Sequence, residues 1–326
     1  NSRPNYNLSS LFILLFFVVN FVFSQSNAYK VVIDAGHGGK DPGNRGNGYY
    51  EKNIVLNIAL EVGKKLEKLN YQVIYTRKDD RFVDLFKRAQ IANNSNADLF
   101  ISIHCDAHSS NAYGAGTFVL GLHANDRNFQ IAKKENSVLF LEENYEQKYD
   151  GFDPNNPESV ISLVLMQEEY LDQSILAANQ IQKSFVNNLK RKNRTVKQAG
   201  FIVLKYTYMP SVLIETGFLT NKTEGQYLNS KKGQSEMAQA ISDAINKYFL
   251  NLNGNISENS LEISNSITKD VFEYKVRIAT GSKMIPLKSY NFKGLKTLSL
   301  RKNSNLYKYY FGSSNNIEEA RKNLSK

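Results

Sequence analysis

Short β-branched runs alternate with amphipathic stretches over most of this chain, and that alternation constrains its fold more than any other feature. Residues 29–35 (YKVVIDA) form a first strand that ends in a Gly-rich loop. Residues 52–69 carry Ile54, Val55, Ile58, Ala59, Val62 and Leu66 at the spacing of one helical face. A strand over 71–76, a helix over 82–93, a strand over 98–104 and a further strand over 116–121 continue the series. It returns with apolar runs at 201–204 (FIVL) and 211–215 (SVLIE), and a helix over 232–250 closes it. The pattern predicts an α/β domain over 29–250 with a largely parallel sheet.

Three segments depart from the alternation. Residues 123–189 form a helical insertion with a turn-rich piece at 150–157. Residues 251–269 are rich in Asn and Ser and read as a linker. Residues 270–326 read as a small α+β module, expected to be incomplete at its end, with strands over 271–278 and 306–311 and a short helix over 317–324. At the other end, Arg3 precedes the apolar run 11–23, interrupted by Asn20, and small and polar residues follow it. A helical membrane span needs about 20 apolar residues. Those 13 instead match the core of a secretory signal peptide over 1–28. The expectation is therefore a periplasmic or secreted protein with no stable membrane span once the signal is removed; an uncleaved anchor is the alternative.

One cysteine, Cys105, excludes an internal disulfide. It follows His104 on a strand, so the two side chains face opposite ways and Cys105 is expected in the core. The net charge of +10 suits a polyanionic partner such as a cell envelope or a nucleic acid. The basic residues are scattered and form no nucleic-acid motif, so no nucleic-acid partner is expected.

Four motifs carry chemistry. In IDAGHGGKDPG a strand delivers His37 into a loop dense in Gly and Pro, at the carboxyl edge where open α/β sheets bind ligands. Glu51 opens the following helix, where the helix dipole alone would also favour it. In ISIHCDAH a strand presents His104 at its end. Two imidazoles and a carboxylate make a three-ligand zinc site with an open position; His108 or His123 could replace one of them, although neither closes a strand. In VLIETGFLTN an apolar run ends at Glu215, either a stray strand-end carboxylate or a group that accepts and returns the proton of a metal-bound water.

Together VVIDAGHGGKDPG, Glu51, SIHCDAH and AGFIVLKYTYMPSVLIETGFLTN resemble the zinc-dependent N-acetylmuramoyl-L-alanine amidases. The resemblance covers about 29–250. It implies a twisted sheet flanked by helices, one zinc ion, and cleavage between N-acetylmuramic acid and the L-alanine of the peptidoglycan stem. It makes His37, Glu51 and His104 the metal ligands and Glu215 the catalytic carboxylate.

Similar cell-division amidases carry a helical insertion that blocks the zinc cleft until an activator protein displaces it. Glu142, Glu143 and Glu146 fall in that place here, and a packing role for the insertion carries equal weight. Deleting 133–168 is expected to raise basal activity if the insertion inhibits. The tail resembles a sporulation-related repeat, a peptidoglycan-binding module. Two other readings stand beside hydrolysis of the muramoyl amide: a peptidoglycan-binding or regulatory protein with a dead site, and another zinc amidohydrolase acting on the wall. HExxH, the signature of many zinc peptidases, is absent.

Overall fold

The computed structural model describes residues 28–121, 126–149, 151–156, 170–265, 274–281, 284–303 and 306–314. The expected signal peptide up to residue 27 and the expected helix over 317–324 lie outside them. The chain divides into two units, 1–253 and 254–326. No helix among the described residues is long and apolar enough to cross a membrane.

In the first unit the order is β1 (Lys30–Ala35), β2 (Arg45–Gly46), β3 (Tyr49–Tyr50), α1 (Glu51–Lys68), β4 (Gln72–Tyr75), α2 (Leu85–Asn94), β5 (Leu99–Asp106) and β6 (Ala115–Leu120). There follow α3 (Asp126–Asn136), a 3-10 turn (Ser137–Leu141), α4 (Tyr145–Lys148), α5 (Leu171–Asn187), β7 (Asn193–Ala199), α6 (Ile202–Lys205), β8 (Ser211–Phe218), α7 (Lys222–Asn229) and α8 (Lys231–Asn265). Six strands form one sheet in the order β4-β1-β5-β8-β6-β7. All its pairs are parallel except β6 with β8. The expected α/β class with a largely parallel sheet is the class observed.

Strand alternation divides the core in two. Val31, Ile33, Ile101, Ile103, Val212 and Ile214 point to one face, where they meet Ile54, Val55, Ile58 and Val62 of α1. Val32, Phe100 and Leu213 point to the other face with Phe118, Ile202, Leu139 and Tyr149. Each such buried aliphatic or aromatic side chain contributes about 1.5–3 kcal/mol. The insertion from α3 to Phe152 docks on this second face, and β1, β5 and β8 send Asp34, Ser102, His104 and Glu215 there too, by the same parity.

Three local expectations differ from the structure. FIVL forms the short helix α6 rather than a strand; a four-residue apolar run has no periodicity with which to tell the two apart. The strand in that region is β7 (NRTVKQA), at the sheet edge, where polar residues are tolerated on the exposed side. The linker expected from 251 is helical through Asn265, since a helix already nucleated propagates at the gain of one bond per residue.

The second unit contains the antiparallel sheet β10-β11-β9, with β9 Tyr274–Gly281, β10 Leu298–Asn303 and β11 Leu306–Ser314. Tyr309 is its buried centre and packs on Phe292 at 5.0 Å between ring centroids. The middle segment β10 lacked a strand-like apolar pattern.

Candidate metal centre and active site

Strand register assembles the site. In the β1–β5 pair Ala35 lies beside Ile103, and Gly36 N–H donates to the Ile103 carbonyl. His37 and His104 therefore leave adjacent strands at the same carboxyl edge. In the β5–β8 pair His104 lies beside Glu215; parallel neighbours share a face, so both side chains emerge together. Glu51 begins α1, whose first N–H is taken by the Asn44 carbonyl at 3.0 Å.

The result is a cluster in which His37, Glu51, His104 and Glu135 each offer one ligand atom, all within 4.8 Å of one another. His37 Nε2 lies 3.2 Å from Glu51 Oε2 and His104 Nδ1 lies 3.1 Å from Glu51 Oε1. Glu135 Oε2 lies 3.1 Å from both nitrogens, and the nitrogens are 3.2 Å apart. Imidazole nitrogens and carboxylate oxygens gathered this closely are the donor set of a zinc-type site. All four side chains are buried.

Each of the three ligands expected from sequence is oriented from behind. Asp41 Oδ2 accepts from His37 Nδ1 at 2.6 Å, leaving Nε2 to face the cluster. His104 Nε2 donates to Ser102 Oγ at 3.1 Å, and Ser102 donates to Asp34 Oδ2 at 2.7 Å. Asp34 also pairs with Arg88 at 2.7 Å and accepts from Thr76 at 2.6 Å. Glu51 accepts from Asn44 N–H at 2.7 Å and Cys105 N–H at 2.8 Å. Outer partners of this kind hold tautomer and ring orientation in metal sites.

The backbone is fitted as closely. His37 itself has φ of 59°, rare for a residue with a side chain and held by Arg88, which donates to its carbonyl at 2.8 Å. A Cβ at position 36 would collide with the His104 ring. One at position 43, where φ is +65°, would come within 2.6 Å of His37 and 2.7 Å of Glu51. Both positions therefore require glycine.

Electrostatics match a cation pocket. Burial opposes charge on His37, yet Glu51, Asp41 and Glu135 hold its pKa well above the usual imidazole value. Burial likewise opposes charge on His104, and Glu135 and Glu51 bring it to about 9. Burial would raise the Glu51 carboxyl, but His37 and His104 hold it well below its usual range. Glu135 is drawn down to about 2, against burial, chiefly by His104. Two carboxylates here call for two positive charges, which two protons or one divalent cation supply.

Glu215 differs. It is fully buried, and neither carboxylate oxygen has a hydrogen-bond partner among the described residues. Burial, then Asp106, Glu135 and Glu51, push its pKa well above the ordinary value, with Arg194 opposing. A buried carboxyl whose pKa is raised in this way, beside a cation pocket, is a candidate proton carrier.

Other candidates fall elsewhere. His108 is exposed and bonds Ser110, away from the cluster; His123 lies outside the described residues. Cys105 is fully buried in the first core cluster, its thiol pKa raised by burial and by Glu51. Among the described acids of the insertion, the one at the cluster is Glu135, not Glu142, Glu143 or Glu146. Glu142 instead turns back to α2, accepting from Leu85 N–H at 2.8 Å and Tyr149 Oη at 2.7 Å; Glu143 and Glu146 are exposed. The available sequence clue was α3's inward face, where Asn128, Ala132, Glu135 and Asn136 follow helical spacing and Glu135 stands among residues that are otherwise uncharged.

Fold and site together define a class: a hydrolase on an open, mostly parallel α/β sheet whose strand ends carry a two-histidine, carboxylate cation pocket. A profile of the N-acetylmuramoyl-L-alanine amidases matches residues 31–247, and the chain belongs to that family. AmiA of Escherichia coli (strain K12), an N-acetylmuramoyl-L-alanine amidase, is 34% identical over 223 residues, which cover 67% of this chain and 75% of AmiA. The crystal structure of N-acetylmuramoyl-L-alanine amidase from Clostridium difficile 630 has a TM-score of 0.52 at 30% identity, covering 69% of this chain and 98% of that one. The CwlD amidase of Clostridioides difficile, solved in complex with the GerS lipoprotein, has a TM-score of 0.51 at 27% identity, covering 68% and 98%. The reaction is hydrolysis of the peptidoglycan amide between N-acetylmuramic acid and the L-alanine of the stem.

Proposed function

We propose that the cation is zinc, that His37, Glu51 and His104 are its permanent ligands, and that Glu215 carries the proton during amide hydrolysis. One observation carries the reading: four mutually close ligand atoms at the strand ends, beside a buried carboxylate with both oxygens unpartnered. Imidazole and carboxylate donors suit zinc. When bound there, zinc would lower the pKa of a water towards about 7 and polarise the scissile carbonyl. Glu215 would accept that water's proton and hand it to the leaving L-alanine nitrogen, and its raised pKa suits both steps. His37 and His104 must be neutral to bind, so metal is expected to be lost as pH falls.

The insertion is autoinhibitory in this reading. Glu135 stands where a water and the substrate carbonyl would need to enter, and an activator protein that draws α3 away would open the pocket. Support for a partner comes from CwlD, solved with a lipoprotein bound. The apolar run near the N-terminus supports export to the periplasm or beyond, where the substrate lies. The C-terminal sheet, with its Tyr-rich β11, is proposed to bind peptidoglycan.

The test is mass spectrometry of muropeptides after incubation of the protein with sacculi, with and without zinc, beside Glu215→Ala. Free stem peptides that depend on both metal and Glu215 are expected. A zinc-loaded variant lacking 133–168 that stays silent would sink the catalytic assignment.

A further inference from the structure

Strand β7 breaks its own alternation. Ala115 pairs with Asn193 but Thr117 pairs with Val196, so β7 holds one extra residue at this point. Thr195 takes φ of 64° there, an outlier for a β-branched side chain. On a regular strand, residues 194 and 197 would face opposite ways. With the bulge, Arg194 and Lys197 line one cavity of about 300 Å³ together with Lys192 and Arg127. Bulges that re-aim side chains in this manner concentrate next to active sites.

Arg194 is only 8% exposed. Its Nη2 donates to Asp106 Oδ2 at 2.6 Å and its guanidinium lies 4.2 Å from the Phe218 ring centre. Nε and Nη1 have no hydrogen-bond partner among the described residues. A buried guanidinium with two unmet donors is costly to keep unless a further acceptor uses them. Positive charge is in excess: four cations line the cavity and no acid does, while Asp106 at its edge is already paired. Lys197 registers the crowding, its pKa lowered by burial and then by Arg194 and Arg127.

Arg194 ties the cavity to the strand end that carries the site: its partner Asp106 stands two residues beyond His104 on β5. The substrate supplies a matching anion, because the stem carries free carboxylates beyond the L-alanine whose amide is cut. Two residues of extended chain reach roughly 7 Å. We propose that Arg194 and Lys197, with Lys192, form an anion subsite that holds a stem-peptide carboxylate and so selects stems whose carboxylates are not amidated. Arg127 belongs to the insertion helix and is not part of the permanent subsite.

The proposal takes its ligand from the amidase reading, but its test reads binding, so a catalytically silent protein leaves the test intact. Calorimetric titration of the full, zinc-loaded chain carrying Glu135→Ala, which clears the pocket, would compare two synthetic stem tripeptides that begin at L-alanine. One has the carboxylate of its second residue free and the other has it as an amide. The free form is expected to bind about tenfold tighter or more, the gain typical of a charge-assisted hydrogen bond. The double variant Lys192→Ala/Lys197→Ala should lose that preference while its Tm and zinc content stay unchanged. Arg194→Lys, which keeps the charge on Asp106 paired but removes the planar fork, should weaken it. Equal affinity for the two peptides, no binding of either at millimolar concentration, or a preference that survives in the double variant would each overturn the subsite.

Discussion

The two sides of the cation pocket are held in different ways. On the frame side, His37, His104 and Glu51 come from β1, β5 and the start of α1. Each is fixed from behind by Asp41, by the Ser102–Asp34–Arg88 chain, or by the Asn44 and Cys105 amides. On the insertion side, Glu135 has no donor for Oε2 among the described residues other than the imidazoles it faces. It reaches the pocket because α3 is docked, and α3 is docked by neighbours. Asn136 exchanges hydrogen bonds with Gly200 and Ile202, Glu142 and Tyr149 grip the start of α2, and Val138 and Leu139 enter the second core. One half is intrinsic to the sheet, and the other is carried by a docked insertion, the half that an activator would move in the autoinhibition proposed above.

The largest effect should come from the carboxylate beside the frame. Glu215→Gln removes the proposed proton carrier and leaves the ligands alone, so hydrolysis should fall about 10³-fold. Metal content, measured by mass spectrometry of the purified variant, should not change. Metal lost in parallel with activity would mean that Glu215 supports the pocket rather than the chemistry.

Next is the outer frame. Burial raises the Asp34 carboxyl pKa, but Arg88, Thr76 and Ser102 more than offset this and leave it below the ordinary value. A folded pKa below the unfolded value of about 3.9 means that this pair's stability is present above that pH and lost as pH falls through the folded pKa. Asp34→Asn leaves Arg88 buried and uncompensated, which typically costs about 3–5 kcal/mol. Thermal midpoints should differ widely at neutral pH and converge in acid. A gap that never narrows as pH falls below the unfolded carboxyl value would remove Asp34 from the charged frame.

Glu135→Ala probes the other half. With its carboxylate gone and α3 still present, basal release of stem peptides should rise about tenfold, one carboxylate–metal contact being worth at least about 1.4 kcal/mol. Zinc content should be retained. A drop in zinc with no gain in activity would make Glu135 a fourth frame ligand and erase the distinction between the halves.

The frame was the legible half. Strands such as VVIDA and FISIH place their last residues at a sheet edge by simple alternation, so His37, His104 and Glu215 could be grouped before any coordinates. Glu135 could not be found that way. It stands in KKEN, a string that reads as a solvated helix face, and its burial depends on where the whole helix docks. β7 was missed for a related reason: an edge strand with a bulge, NRTVKQA, carries neither an apolar run nor a clean alternation. FIVL misled in the opposite direction, since a buried single helical turn and a buried strand use the same residues. Sequence periodicity reports burial that an element decides for itself, and fails where a neighbour decides it.

The smallest test is the most discriminating one for the latch. Tyr149 Oη donates to Glu142 and accepts from Phe86 N–H at 3.0 Å, and the ring is 1% exposed within the second core. Tyr149→Phe keeps the ring and removes both bonds, which costs the docked arm about 1 kcal/mol. If undocking precedes hydrolysis, that cost raises the open fraction, and with it the basal rate, about fivefold. The double variant with Glu135→Ala then decides what kind of block the arm imposes. If the carboxylate alone closes the pocket, Tyr149→Phe should add almost nothing once Glu135 is gone. If the bulk of α3 also excludes the glycan strand, the two gains should multiply, and a double-mutant cycle on released stem peptide separates these outcomes.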